Sequence, residues 1–170
     1  MTVRRVRPDD VPTVLRLVRE LAEYERAAHE VVMTEAQLRE ALFGASPSVS
    51  AHVAEDPDGD VVGFALWFLT FSTWRGTSGI HLEDLFVSPA HRGTGLGREL
   101  LRTLAQVCVD RGFARLEWVV LDWNTPSIDF YRAAGAVPMD EWTTFRLTDD
   151  ALTDFAADRR GHRATKEATA

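Results

Sequence analysis

Apolar residues Val11, Val14, Leu15, Val18, Leu21 and Ala22 recur at the three- and four-residue spacing of one helix face, directly after Asp9 and Asp10, which suit a first turn. Pro12 falls where a helix has no use for the missing N–H. Thr34 followed by Gln37 has the spacing of a capping box and predicts a second, short helix that stops near Gly44. The period then shortens to two. Residues 49–55 and 61–71 read as strands joined by the turn Asp56-Pro57-Asp58-Gly59, and residues 80–87 as a third strand. Helical spacing returns at Leu100, Leu101, Leu104, Val107 and Cys108, predicting a helix over 97–110 with Gly112 as its stop. Residues 114–121 predict a strand, 126–134 a helix closed by Gly135, and 137–147 one or two last strands. Strands in succession, then strand and helix in alternation, predict an α/β protein with a mixed sheet.

Composition narrows the partners. With 170 residues, 45% hydrophobic and 26% charged, the chain is large and apolar enough to close a substantial core, which excludes a disordered tail, a collagen-like fibre and a disulfide-stapled peptide. No linker composition or internal repeat divides it, so one domain is expected over residues 1–155 with a polar tail over 156–170. The net charge of −7 repels nucleic acid and anionic membrane and favours a cationic partner. The longest apolar run, residues 61–71, is well short of the roughly 20 residues that span a bilayer. With no apolar leader near Met1 and a single cysteine, Cys108, a reducing cytoplasmic setting is expected. Cys108 sits on an apolar helix face and reads as a small core residue. The histidines at 29, 52, 81, 91 and 162 have no metal-ligand spacing, so no metal is expected.

The stretch Arg92-Gly93-Thr94-Gly95-Leu96-Gly97-Arg98 lies between an apolar strand and an amphipathic helix, where free backbone N–H groups and the helix dipole favour an anion. The same glycines also suit a plain strand-to-helix turn. Arg98 stands where a dinucleotide fingerprint would have its last glycine, and no Gly-Lys-Ser/Thr follows, so neither a Rossmann loop nor a P-loop is present. A phosphate-bearing ligand held by a loop of another geometry remains.

This loop resembles the acetyl-CoA pyrophosphate loop of the GNAT superfamily of N-acetyltransferases, whose pattern is Q/R-x-x-G-x-G/A. Leu82-Glu83-Asp84-Leu85-Phe86-Val87, Trp123-Asn124-Thr125-Pro126-Ser127-Ile128-Asp129-Phe130-Tyr131 and Leu21-Ala22-Glu23-Tyr24-Glu25 resemble its diamine (spermidine/spermine) and thialysine N-acetyltransferase branch. The similarity covers residues 3–147. It implies the GNAT (acyl-CoA N-acyltransferase) fold, a mixed and mostly antiparallel sheet flanked by helices. It also implies acetyl-CoA as cosubstrate, direct transfer to a primary amine of a small cationic substrate, and a homodimer.

By the same resemblance, Tyr131 is the general acid and Glu83 the base, acting directly or through water, or else the group that binds the ammonium. The backbones of Leu85, Phe86 and Val87 would hold the pantetheine arm and polarise the thioester. Arg92, Gly93, Thr94, Gly95, Leu96, Gly97 and Arg98 would hold the pyrophosphate, Asn124 and Ser127 would contact CoA, and Tyr24 and Glu25 would line the amine channel. Taken as residues alone, Glu83 equally suits a carboxylate satisfied by a neighbour, and Tyr131 a core aromatic. Asn124 and Ser127 then suit helix capping, and Tyr24 and Glu25 a solvated helix end. Strand alternation puts Asp84 on the opposite face from Glu83, in a structural role.

The sequence departs from the polyamine pattern at Thr73, where Asp is frequent, at Ala133, where an Arg follows the catalytic Tyr, and at Thr143, where Glu is expected. Asp140 and Glu141 lie close by. Fewer channel acids weigh against a long polyamine and bring in a smaller diamine or a lysine-like amine such as lysine or thialysine. The alternatives are acetylation of a protein lysine, an N-terminus or an aminoglycoside, and a non-catalytic acyl-CoA-binding regulatory module.

Overall fold

The computed structural model describes residues 2–158. The chain forms β1 (Thr2–Arg5), α1 (Val11–Tyr24), α2 (Glu35–Phe43), β2 (Ser50–Glu55), β3 (Val61–Ser72), β4 (Thr77–Val87), α3 (Leu96–Arg111), β5 (Leu116–Glu117), α4 (Thr125–Ala133) and α5 (Asp149–Ala156). The strands make one sheet in the order β1-β2-β3-β4-β5. The first three pairings are antiparallel and β4–β5 is parallel, the mixed, mostly antiparallel sheet expected. The chain divides into two compact units, the first ending at Phe130 and the second beginning at Tyr131. Among the described residues no helix is long and apolar enough to cross a membrane.

The core follows from the periodicities. Val11, Val14, Leu15 and Leu17 of α1 and Leu38 and Leu42 of α2 pack on Ala51, Val53, Phe64, Leu66 and Phe86, the alternate residues of three adjacent strands. The strands' other face carries Ala65, Trp67 and Leu82, all buried, and α3 packs across the sheet with Leu96, Leu100, Leu101, Leu104 and Cys108 buried. The capping box of α2 is present: the Gln37 N–H donates to Thr34 Oγ1 at 3.3 Å and the Thr34 N–H to Gln37 Oε1 at 2.8 Å. The hairpin turn also closes as read, with the Asp58 and Asp60 N–H groups both donating to Asp56 Oδ1 at 3.0 Å.

Four expectations change. Asp10 precedes α1 but does not cap it through its side chain. Its carboxylate instead takes two bonds from the Arg4 guanidinium, at 2.7 and 2.9 Å, and one from the Arg7 N–H at 2.6 Å. The Arg4 bonds, reinforced by Arg7, hold it below the usual carboxylate range despite burial. Of the strand expected over 114–121 only β5 forms, two residues beside Ile80 and His81. No strand forms over 137–147. Alternation alone supplies no partner, and Pro138 removes a backbone donor, so Val137, Met139 and Phe145 stand exposed. The chain also has β1 and α5, which the periodicity did not mark. The tail expected from 156 onward lies outside the described residues after 158.

Candidate active site

The acidic end of β4 is built on an irregularity. Trp67 of β3 pairs with Leu82 while Leu66, its neighbour, pairs with Asp84, so Glu83 is an extra residue in the ladder. A bulge of this kind places two residues opposite one and re-aims their side chains. Asp84 resumes the ladder beyond the bulge. It pairs with core residue Leu66 on the α1 side of the sheet and feels the charges of Glu83 and of Glu25, which follows the last turn of α1. The sequence carries the signal: the apolar positions 80 and 82 change parity to 85 and 87 across two consecutive acids.

The three carboxylates differ in surroundings. Glu83 is exposed. Burial raises the Glu25 carboxyl. Asp84 is pushed up to about 7, first by burial and then by Glu83 and Glu25. Among the described residues none of the three has an ion-pair partner.

Beyond Val87 the chain makes one 3₁₀ turn, Pro89–His91, and enters the glycine loop. Gly93 and Gly95 have φ of +76° and +89°, a conformation that a side chain would strain, and a Cβ on either would meet open space. The backbone alone therefore requires the glycines. The Thr94 hydroxyl donates to the His91 carbonyl at 2.7 Å and braces the turn. The first internal bond of α3 is Glu99 N–H to Gly95 carbonyl, and no side chain caps this end. The N–H groups of Leu96, Gly97 and Arg98 thus have no helical acceptor, beside the positive end of a 16-residue helix dipole. This donor set fits a diphosphate such as that of acetyl-CoA.

Arg92 is tied to the end of β4 and to α1 by its Nε and by the face of its guanidinium. Its Nε donates to the Val87 carbonyl at 3.1 Å, and its guanidinium lies 4.8 Å from the Tyr24 ring centre and 5.4 Å from that of Phe86. The Tyr24 hydroxyl donates to Asn124 Oδ1 at 3.0 Å, and the same oxygen accepts the Ser127 N–H at 3.3 Å. Asn124 is buried and caps α4, so the capping reading of Asn124 and Ser127 is realised in the chain. Arg26, at φ +63°, closes α1 with the Ala27 N–H bonded to the Ala22 carbonyl at 2.8 Å, which fixes where Tyr24 and Glu25 leave the helix. Tyr24, Glu25, Glu83, Leu85, Phe86, Val87, Asn124, Ser127 and the glycine loop all belong to the first unit; Tyr131, in the last part of α4, opens the second.

Other nucleophiles and bases are accounted for by packing. Cys108 is buried with its Sγ 3.6 Å from the Arg115 carbonyl, and burial raises its thiol, which leaves it unreactive. His52 is buried, accepts the Trp67 Nε1–H at 3.2 Å, and is pushed down to about 4 by burial and Arg5. His91 faces Asp56 at 3.6 Å rather than the loop. Among the described residues no group of three or more metal-ligating side chains is gathered.

A mixed sheet that feeds an anion-binding loop at a helix N-terminus is the arrangement these features define, and the Acetyltransferase (GNAT) family profile matches residues 14–136: the chain belongs to that family. Among its relatives, the thialysine N-epsilon-acetyltransferase of Bos taurus is 38% identical over 164 residues, covering 91% of this chain and 96% of the bovine protein. The L-ornithine N5-acetyltransferase of Arabidopsis thaliana is 31% identical, covering 88% and 85%. A solved integron cassette protein from V. cholerae superposes with a TM-score of 0.76 at 26% identity, covering 91% of this chain and 96% of its own. The chain is an N-acetyltransferase that acts on amines.

Proposed function

We propose that this enzyme transfers acetyl from acetyl-CoA directly to the terminal amine of a small cationic amino acid of the thialysine, lysine or ornithine type. The observation that carries this reading is the set Glu25, at the end of α1, with Glu83 and Asp84 on the strand that runs into the anion-binding loop, three carboxylates without an ion-pair partner among the described residues. Their charge suits an ammonium. The absence of acids at Thr73 and Thr143 argues against a long polyamine. The names of the bovine and Arabidopsis relatives point to the same substrate size.

Acetyl-CoA supplies an activated acyl group, and the chain supplies the proton handling. An alkylammonium with a pKa near 10.4 is neutral in only about one molecule in 2,500 at pH 7, so the amine needs an acceptor. Asp84, held at about 7, takes that proton at neutral pH. Glu83, exposed, holds the incoming cation or relays the proton through water. The Leu85, Phe86 and Val87 backbone orients the acyl arm, the N–H groups of residues 95–98 hold the pyrophosphate, and Tyr131 holds the proton that the leaving sulfur requires. No acetyl group passes through the protein.

The reading includes a homodimer in a cytoplasmic setting; light scattering at micromolar concentration tests the first. A thiol-release assay with acetyl-CoA over thialysine, lysine, ornithine, spermidine and a histone-tail peptide tests the substrate. The amino acids should give the highest kcat/KM. Preference for the peptide would move the enzyme to the protein-lysine class, and binding of acetyl-CoA without thiol release on any of these amines would leave a regulatory module.

A further inference from the structure

Three residues that the sequence assigns to separate tasks form one continuous contact: Tyr24 of the amine channel, Arg92 of the glycine loop and Asn124 at the cap of α4. The Arg92 guanidinium approaches the faces of Tyr24 and Phe86 at 4.8 and 5.4 Å, within cation–π range of both. Its Nε fixes the Val87 carbonyl at the end of β4. The Tyr24 hydroxyl is anchored on Asn124 at 3.0 Å, and the Trp123 ring lies 6.0 Å from the Tyr24 ring, centre to centre. A guanidinium carries five N–H donors, and among the described residues only Nε of Arg92 is engaged. Both Nη groups are left to meet a phosphate while the stack on Tyr24 persists. A diphosphate drawn into the loop thus acts on a cation whose other face is the wall of the amine channel.

We propose that Arg92 is a positioning residue whose stack on Tyr24 couples occupancy of the glycine loop to the geometry of the amine channel, so that CoA and the amine bind cooperatively. The proposal rests on the acetyl-CoA and amine reading above. Such coupling is reciprocal: whatever factor the amine contributes to CoA affinity, CoA contributes to amine affinity. Lysine at 92 would keep the charge and lose both the plane that stacks and the Nε–H that holds the Val87 carbonyl. Phenylalanine at 24 would keep the stack and lose only the bond to Asn124.

The test uses CoA without an acetyl group, so that no turnover occurs. Calorimetry measures its affinity with and without saturating thialysine, with ornithine as a second amine. The proteins are wild type, Arg92→Lys, Tyr24→Phe, Tyr24→Leu and the Arg92→Lys/Tyr24→Leu double variant, with folding checked by thermal melts. The amine should tighten CoA binding about fivefold or more in wild type. Tyr24→Phe should retain most of that factor. Arg92→Lys and Tyr24→Leu should reduce it below about twofold, and the double variant should lose no more than either single one. Undiminished tightening in Tyr24→Leu, or none in a wild type that binds both ligands, would overturn the link alone. A wild type that binds no CoA would overturn the loop assignment, and one that binds CoA but neither amine the substrate assignment, each taking the coupling with it.

Discussion

Replacing Asp84 with Asn removes the carboxyl that the fold holds at about 7 and leaves its shape in place. At pH 7 about half of the wild-type carboxyls are ionised and at pH 8 about nine in ten, so kcat/KM should fall about tenfold per pH unit well below 7. Asp84→Asn should lower kcat by about 10²–10³ at pH 8 and abolish that acid limb. Glu83→Gln removes one of the charges that raise Asp84, so its acid limb should move to lower pH with a smaller loss of rate. Stability supplies a second readout of opposite sign. The carboxyl is raised in the fold, so its ionisation penalty is absent below the unfolded value of 3.8 and complete above about 7. That displacement corresponds to about 4 kcal/mol before solvent screening. Asp84→Asn should therefore resist urea better than wild type at pH 8, by up to that amount, and no better at pH 3. Turnover within threefold of wild type with an unchanged acid limb would refute Asp84 as the acceptor. Equal stability of the two proteins at pH 8 would refute its burial as a charge.

Tyr131→Phe should lower kcat by about one to two orders of magnitude and leave CoA affinity by calorimetry unchanged, since only the proton donor is lost. Gly95→Val forces a β-branched residue to φ near +89° at a cost of about 1–2 kcal/mol. It should weaken CoA binding more than tenfold while lowering Tm by only about 2–6 °C. Asp10→Asn should cost about 2 kcal/mol in urea at pH 7 by leaving Arg4 short of its partner. Because Asp10 is lowered in the fold, that contribution is present above pH 4 and is lost as pH falls through the folded value, so the two proteins should converge in acid.

Elements stabilised by their own residues were legible in the chain. The α2 box at Thr34 and Gln37, the Asp56–Gly59 turn and the left-handed stop at Gly112 are local devices, and the hydrophobic stripes of α1 and α3 name most of the buried residues, missing Leu17 and Leu96 and including the half-buried Val18, Leu21 and Val107. The glycine loop was equally readable, since its backbone needs glycines whatever surrounds it. What depends on pairing was not. Neither β1, which forms by joining the edge of β2, nor the shortness of β5 is written in local periodicity. The bulge at Glu83, which sets Asp84 opposite Leu66 on the α1 side, is a matter of register, and register belongs to two strands at once. The Arg92 stack likewise joins residues 68 positions apart in the chain, and a motif assigned to phosphate gave no hint of it.

The central claim is direct transfer of an acetyl group from CoA to a small amino acid's terminal amine. A single-turnover experiment with isotopically labelled acetyl-CoA, quenched and analysed by mass spectrometry of both protein and small molecules, tests it most directly. Label is expected on the side-chain amine of thialysine and on no residue of the protein at any time. Label retained on the chain before the amine is added, or released as acetate with thialysine unmodified, would contradict it.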